Sequence, residues 1–415
     1  MFNLLIRNEI AWSDPKGFDK LQKRGFWFIL GKIKMDVCFF GGYDPGYPRN
    51  SILRRGLRAN SVHISEAHVR RGHKFWVRYP LLVSRWLRYG QRHNQRHGRR
   101  GVEPRSILFV PEFCQKDVFL AWAIAVLYSR RIVFDPLASR FETKVLDWRR
   151  KSEGSLAAWW NRVIDRLAFK ASDLVLADTE AHKKYYCREF GVSPGKVGVV
   201  PVGFDDSVFT RSLAQRRKLS SQRGSPFTVL FFGSFLPLHG VTTAVEAALH
   251  VWKKDKTVRF KFIGSGQTFP HARKTASDLG LANVSFEGWM SQVALAEKIA
   301  SEADICLGIF GRTEKASRVV PHKIFQAMAL AKPVITGRTP AAKEFFTHGK
   351  NIYFCQAGDR ESLARAILEL REDEAQRDGI AERGCELAWK KFTPPSLGGL
   401  LKEILADRFA SSASG

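Results

Sequence analysis

A chain of 415 residues is longer than one ordinary hydrophobic core organises, and it suits two domains of moderate size. Its 45% hydrophobic and 26% charged residues exclude a disordered chain. Lys and Arg number 67 against 40 Asp and Glu, and the formal charge of +27 favours an anionic partner: nucleic acid, an acidic lipid surface or a phosphorylated small molecule.

Cys38, Cys114, Cys187, Cys306, Cys355 and Cys385 form no CxxC pair and no Cys/His cluster with zinc spacing. Cys38, Cys306 and Cys355 lie in apolar, strand-like runs, where a reduced thiol packs as a small hydrophobe, and this suits a reducing compartment. No apolar run approaches the roughly 20 residues that cross a bilayer. The apolar groups within residues 1–34 are broken by charges and lack a secretory cleavage site. Residues 1–34 read as an extension, disordered or not native, with Met35 immediately before the first strand. The expectation is a cytoplasmic protein, peripheral on the inner face of a membrane.

The first sharp strand signal is Asp36–Phe40, which runs into Gly41 and Gly42. Asn50 and Ser51 are placed to cap a helix carrying Ile52, Leu53 and Leu57, and 62–64 reads as the next strand. Strands follow at 106–110, 131–134, 174–177 and 197–202, with an apolar helix at 118–128 and helices from Leu156 and from near Glu180. The polar, basic run between Asp205 and Ser225 is the domain boundary. A second series then opens with strand 228–232, loop 233–240 and a helix from Val241, followed by strands at 259–263, 284–286, 304–308, 334–336 and 352–354. The predicted fold is α/β: two doubly wound, Rossmann-like domains facing one another across a cleft. The expected divisions are an extension at 1–34, a first Rossmann-like domain at 35–208, a linker at 209–225, a second Rossmann-like domain at 226–395, and a C-terminal helix and tail at 396–415.

Doubly wound sheets bind ligands at the carboxyl ends of their strands, where helix N-termini favour phosphate. Four loops qualify. Gly41 and Gly42 open the first, and Gly233, Ser234 and His239 belong to the second. Gly264 opens the third, which as a lone GxG is equally a plain turn. The fourth is polar and basic: Arg318, His322 and Lys323 precede or enter a helix that also carries Gln326. Such a gathering at one helix N-terminus makes a diphosphate pocket or, read blandly, a solvated basic loop.

From Arg318 to Phe346, with Pro321–Thr336 at its centre, the sequence resembles the donor-site signature of the family 4 glycosyltransferases. Val199–Asp205 with Phe209, Val229–Gly240, Phe286–Trp289 and the start at Asp36–Asn50 resemble further family segments in order, so the likeness covers about residues 35–395. It implies the GT-B fold, an N-terminal acceptor domain, a C-terminal nucleotide-sugar domain, and transfer with retention and without metal. It also implies a ribose-binding role at Gln326, where the family commonly has glutamate. A second family glutamate, near the transferred sugar, corresponds to Arg318. Ser234 and His239 stand where the family commonly has Arg and Lys for the diphosphate. Arg318, His322 and Lys323 are then the expected source of positive charge. No cofactor is expected beyond the donor substrate, with a uridine diphosphate sugar first and a guanosine diphosphate sugar second.

On the acceptor side, Asp135 at the end of a buried strand is the candidate to orient the acceptor or take its proton, with a helix cap beside Pro136 as the alternative. His182 is a weaker candidate for the same role, with a surface helix residue as the preferred reading. Between Lys74 and Arg105, Trp76, Leu81, Trp86 and Leu87 alternate with Arg78, Arg85, Arg88, Arg92, Arg96, Arg99 and Arg100. This is either a patch for an anionic membrane carrying a glycan or lipid-linked acceptor, or a buried helix with a solvated basic loop. Nucleic-acid binding and an inactive GT-B partner subunit are the rival readings.

Overall fold

The computed structural model describes residues 35–97, 107–148, 152–215 and 226–410. Residues 1–34, most of the expected linker, Arg99, Arg100 and the last five residues lie outside these.

The first sheet is built from β1 (Asp36–Gly41), β2 (His63–His68), β3 (Ile107–Val110), β4 (Arg131–Phe134), β5 (Leu174–Ala177) and β6 (Val197–Val199). All pairings are parallel and the order is β2-β1-β3-β4-β5-β6. The central strands are buried along their whole length, which is why they read as unbroken apolar runs rather than as alternating ones. Between them run α1 (Pro48–Ala59), α2 (Phe75–His97), α3 (Asp117–Tyr128), α4 (Leu156–Ala171) and α5 (Glu180–Phe190). Ser155 and Thr179 cap α4 and α5 by accepting from the amides of Ala158 and His182. Asn50 and Ser51 do not cap α1. Pro48 starts the helix earlier, its fixed φ suiting the first turn, and the Asn50 amide donates to the Asp44 carbonyl instead.

After α6 (Arg211–Gln215), the second sheet comprises β7 (Thr228–Phe232), β8 (Arg259–Ile263), β9 (Val284–Glu287), β10 (Ile305–Leu307), β11 (Val334–Gly337) and β12 (Tyr353–Cys355). It is again parallel, in the order β12-β11-β10-β7-β8-β9. Its helices are α7 (Val241–Lys254), α8 (Phe269–Asp278), α9 (Gln292–Glu302), α10 (Glu314–Arg318), α11 (His322–Ala329), α12 (Pro340–Phe345), α13 (Arg360–Glu372) and α14 (Glu374–Lys391). A last helix, α15 (Pro394–Ala410), returns to the first domain. It crosses α1 backbone to backbone: a Cβ on Gly398 would lie 2.0 Å from the carbonyl carbon of Gly56. Lys402 Nζ and the Asn60 side chain tie the crossing, at 2.9 Å to the Asn60 carbonyl and 2.8 Å to that of Pro395. The chain thus holds two Rossmann-like domains, and the ending of one is stitched to the other.

The strand order locates the crevices. In the first sheet the direction of winding reverses between β1 and β3, and in the second between β7 and β10. The carboxyl ends of these pairs are where open α/β sheets accept ligands.

Candidate active site

The second switch point is lined by the loop after β7 and the loop after β10. These two loops hold each other, with Phe310 N–H donating to the His239 carbonyl at 3.0 Å and Gly311 N–H to that of Leu238 at 3.1 Å. A third loop lies against them. Gly264, at φ +131, sits so close that a Cβ there would be 2.0 Å from the Gly233 carbonyl oxygen. Only glycine fits both that backbone and that gap. The Gly233 and Gly264 amides are already used, donating to the carbonyls of Ile263 and Glu287. Both glycines therefore shape the loops, and their amides are not the expected phosphate donors. Ser234 is exposed at the tip of the second loop.

Lys323 enters this crevice from the first turn of α11. It is 5% exposed, its Nζ lies 3.7 Å from the centroid of the Phe231 ring, and a Cβ on Gly233 would come within 3.3 Å of its Cε. Its Nζ has no hydrogen-bond partner, and burial pulls its pKa well below the ordinary lysine value. A buried ammonium without a counter-ion is costly unless an anion arrives. Gln326, one turn further along α11, is also buried.

The other expected cations are differently employed. His239 is buried and its Nδ1 donates to the Ser234 carbonyl; burial and then Lys323 push its pKa well below the usual histidine value. Nδ1 of His322 donates to the Gly203 carbonyl of the first domain at 2.9 Å, and burial lowers its pKa to about 4. Both rings are neutral near pH 7, so the expectation that they add positive charge is corrected: a desolvated imidazole sheds its proton. His322 Nε2, buried and unpartnered, is left as a hydrogen-bond acceptor.

Arg318 is likewise not free for a diphosphate. Its Nη1 donates to Glu142 Oε1 at 2.9 Å, its Nη2 pairs with Glu314, and its guanidinium lies 4.0 Å from the Tyr185 ring centroid. Glu142 opens a π-helical turn, Glu142–Asp147, that the sequence reading did not find and that follows β4 in the first domain. Beyond Glu142 stands His182, with Nε2 at 3.1 Å from Glu142 Oε2 and Nδ1 at 2.6 Å from Asp178 Oδ1. His182 is fully buried, which corrects its reading as a surface residue: the face of α5 that carries it is the inner one. Burial opposes its charge, but Glu142 and Asp178 on either side raise its pKa to about 9. Burial likewise opposes the Glu142 charge, yet His182, Lys315 and Arg318 hold its pKa down to about 2. A row of alternating charges thus runs from one domain into the other. Around it, Lys315 Nζ donates to Thr143 Oγ1 at 3.0 Å, Thr179 Oγ1 donates to the Arg318 carbonyl, and Glu344 accepts from the Glu180 and Ala181 amides at the start of α5.

In the first domain, the switch point is already furnished. Gly42 N–H donates to Asp117 Oδ2 at 2.8 Å, and a Cβ on Gly42 would meet Arg78 Cδ at 2.8 Å. Gly41 has its would-be Cβ 3.3 Å from the same carboxylate. Asp117 and Arg78, themselves 2.8 Å apart, occupy the place that the glycines were expected to offer to a donor. Asp135 does stand at the carboxyl end of β4, but it is fully buried in a two-pronged pair with Arg49, at 2.6 and 2.8 Å. It caps no helix, and the pair closes it to solvent. The carboxylate left over is Glu112, just past β3, which sequence reasoning missed. It is 1% exposed, both its oxygens lack hydrogen-bond partners, and burial, then Asp135, raises its pKa to about 8. Its signal was present: an acid two residues past a fully apolar strand.

Two Rossmann-like domains, each on a parallel six-stranded sheet, make up the GT-B fold. Residues 226–373 match the family model for glycosyl transferases group 1, which makes the second domain that of a glycosyltransferase similar to this group. The chain is 24% identical over 331 residues to the lipopolysaccharide core biosynthesis glycosyltransferase LpsE of Rhizobium meliloti, covering 74% of this chain and 92% of that one. Anabaena HepE, solved in complex with UDP and glucose, superposes with a TM-score of 0.64 at 18% identity, over 90% of this chain and 99% of the other. Sucrose-phosphate synthase from Thermosynechococcus elongatus does so at 0.66 and 14%, over 91% and 100%. At these identities the two structures speak for the fold.

Proposed function

We propose that the chain transfers a sugar from a uridine diphosphate sugar to a hydroxyl of a glycan or lipid-linked acceptor in cell-envelope polysaccharide synthesis, with retention and without metal. The observation that carries the donor side is Lys323: a buried amine, its Nζ without a hydrogen-bond partner, beneath the Gly233 turn of a switch-point crevice. In this reading the diphosphate is its counter-ion, Ser234 contacts a phosphate oxygen, and Gln326 accepts from a ribose hydroxyl through its amide oxygen. The uracil base and the envelope setting draw support from the complexes of HepE with UDP and from the name of LpsE.

As the bond from the anomeric carbon to the diphosphate breaks, its electron pair stays on the phosphate oxygen, and Lys323 stabilises that growing charge. Retention brings the acceptor oxygen in on the face the diphosphate leaves. The departing phosphate oxygen is then the nearest base for the acceptor proton. Glu112, with its pKa near 8, is largely protonated at neutrality and offers a hydrogen bond to the acceptor. Asp135 acts indirectly, by ordering Arg49, which also reaches the Val200 carbonyl at 3.1 Å.

A thermal-shift and calorimetric screen with nucleoside diphosphates and their sugars tests the reading, since a ligand that binds the native state raises its melting point. UDP and a UDP-hexose raise it, and Lys323→Met removes the effect. An unchanged melt at millimolar UDP and GDP sugars would overturn the donor assignment. Donor binding without turnover on any envelope acceptor would instead favour a partner subunit.

A further inference from the structure

We infer that the outer face of α2, α3 and α4 is a docking surface for an anionic lipid bilayer. The three helices lie on the same face of the first sheet, because all three belong to crossovers running the same way across it. Tyr79 Oη of α2 donates to the Lys116 carbonyl just before α3 at 2.6 Å, the rings of Trp86 and Tyr128 meet edge-on at 6.1 Å, and α3 packs on α4.

Each helix turns an apolar line outward. On α2, Trp76, Pro80 and Leu87 are exposed at positions i, i+4 and i+11, with Val83 half-buried between them. On α4 the same spacing exposes Leu156, Trp160 and Leu167 around half-buried Val163, with Trp159 alongside. The helix α3 is the least ordinary. Past Asp117 it holds no charged residue, and its outward positions are Trp122, Val126, Leu127 and Tyr128, with Leu127 77% exposed. A helix that is apolar on its solvent side needs a covering surface.

The charge that these three helices expose is of one sign, with Glu153 just before α4 and Glu189 of α5 at its margin. The only carboxylates in the three helices are Asp117 and Asp165, both buried; Asp117 is held by Arg78, and Asp165 accepts from the Arg140 and Phe141 amides. Arg85, Arg88, Arg166 and Lys170 are exposed there, as is Arg162, which pairs with Glu189 at 2.6 Å. Tryptophans between aliphatic anchors and cations match the headgroup layer of an acidic membrane. A second copy of the chain fits poorly, since a two-fold contact would set these cations against themselves on a molecule of charge +27. Nucleic acid would match the cations but leave Leu127, Leu156 and Leu167 uncovered. This inference does not rest on the donor chemistry.

Flotation of the full chain with vesicles tests it, using phosphatidylcholine alone or with about 30 mol% phosphatidylglycerol. The wild type floats with the anionic vesicles and at least tenfold less with neutral ones. Leu156→Ser/Trp159→Ser/Trp160→Ser cuts anionic flotation at least tenfold while its melting point and UDP affinity stay within error of wild type. Arg166→Gln/Lys170→Gln weakens it severalfold and reduces its salt dependence. Equal flotation of the triple variant, a concentration-dependent dimer that the triple variant dissolves, or binding to single-stranded RNA in place of vesicles would each overturn the inference.

Discussion

Arg318 of the second domain donates to Glu142 of the first across 2.9 Å, although 176 residues separate them in sequence. With His182 and Asp178 behind Glu142, the pair forms a buried clasp between the halves of a bilobal transferase. A buried ion pair adds little over a well-packed apolar pair, but breaking one strands the other charge.

Arg318→Ala therefore destabilises the protein by about 3–5 kcal/mol, the usual cost of orphaning a buried partner. Glu142→Gln costs less, because the amide keeps hydrogen bonds to Arg318 and His182. In urea unfolding the double variant falls short of the sum of the singles by more than about 0.5 kcal/mol, which is the mark of direct coupling. Additive effects would show that the clasp has no energetic meaning.

The clasp also sets a pH dependence. His182 has a folded pKa raised to about 9 from 6.5, so its contribution is whole below 6.5 and is lost as the pH rises through 9. Glu142, lowered to about 2 from 4.5, contributes fully above 4.5 and gives way only as the pH falls through 2. Glu112 is an acid raised to about 8, so the folded state keeps a proton that the unfolded state releases, and stability falls between 4.5 and 8. Glu112 and His182 thus each lower the melting temperature as the pH rises, across 4.5–8 and 6.5–9, while His322, held near 4, acts the other way up to 6.5. His182→Gln flattens the decline above pH 6.5, and Glu112→Gln flattens it below 8. A profile untouched by both substitutions contradicts these assignments.

Lys323→Met separates binding from stability. Removing an unpartnered buried ammonium leaves the ligand-free melting point equal or higher, since the methionine fills the same space against Phe231. The same change weakens UDP binding by ten- to a hundredfold, roughly the 1.5–3 kcal/mol of a charged hydrogen bond. Calorimetry on both proteins reads the two effects. A lower ligand-free melting point with unchanged UDP affinity would make Lys323 a structural residue.

Gly264→Ala tests the packing of the loops at the second switch point. The new Cβ would stand 2.0 Å from the Gly233 carbonyl at φ +131, so the loop after β7 must move. Gly280→Ala is the control, since its φ is +61 but nothing lies within 4 Å of its would-be Cβ. The control costs about 1–2 kcal/mol from backbone strain alone. Gly264→Ala costs more and also lowers UDP affinity, which comparison of the two variants by unfolding and titration will show.

Much of this architecture was readable from residue order. Strands such as 107–110 and 228–232 are buried on both faces, so their apolar runs announce themselves, and Gly233 at the end of the second marks a crevice loop. Lys323 could be found because an α-helix start, the residues around it and the resemblance they carry are all local. What only the tertiary structure decided was which charges are spent. Arg318 and Asp135 look free in sequence until Glu142 and Arg49 arrive from distant segments. His239 and His322 look cationic until burial strips their protons, and His182 looks exposed until α5 turns it inward. Periodicity travels along the chain and fixes elements; desolvation and ion pairing act between parts that meet only on folding, and they fixed the chemistry.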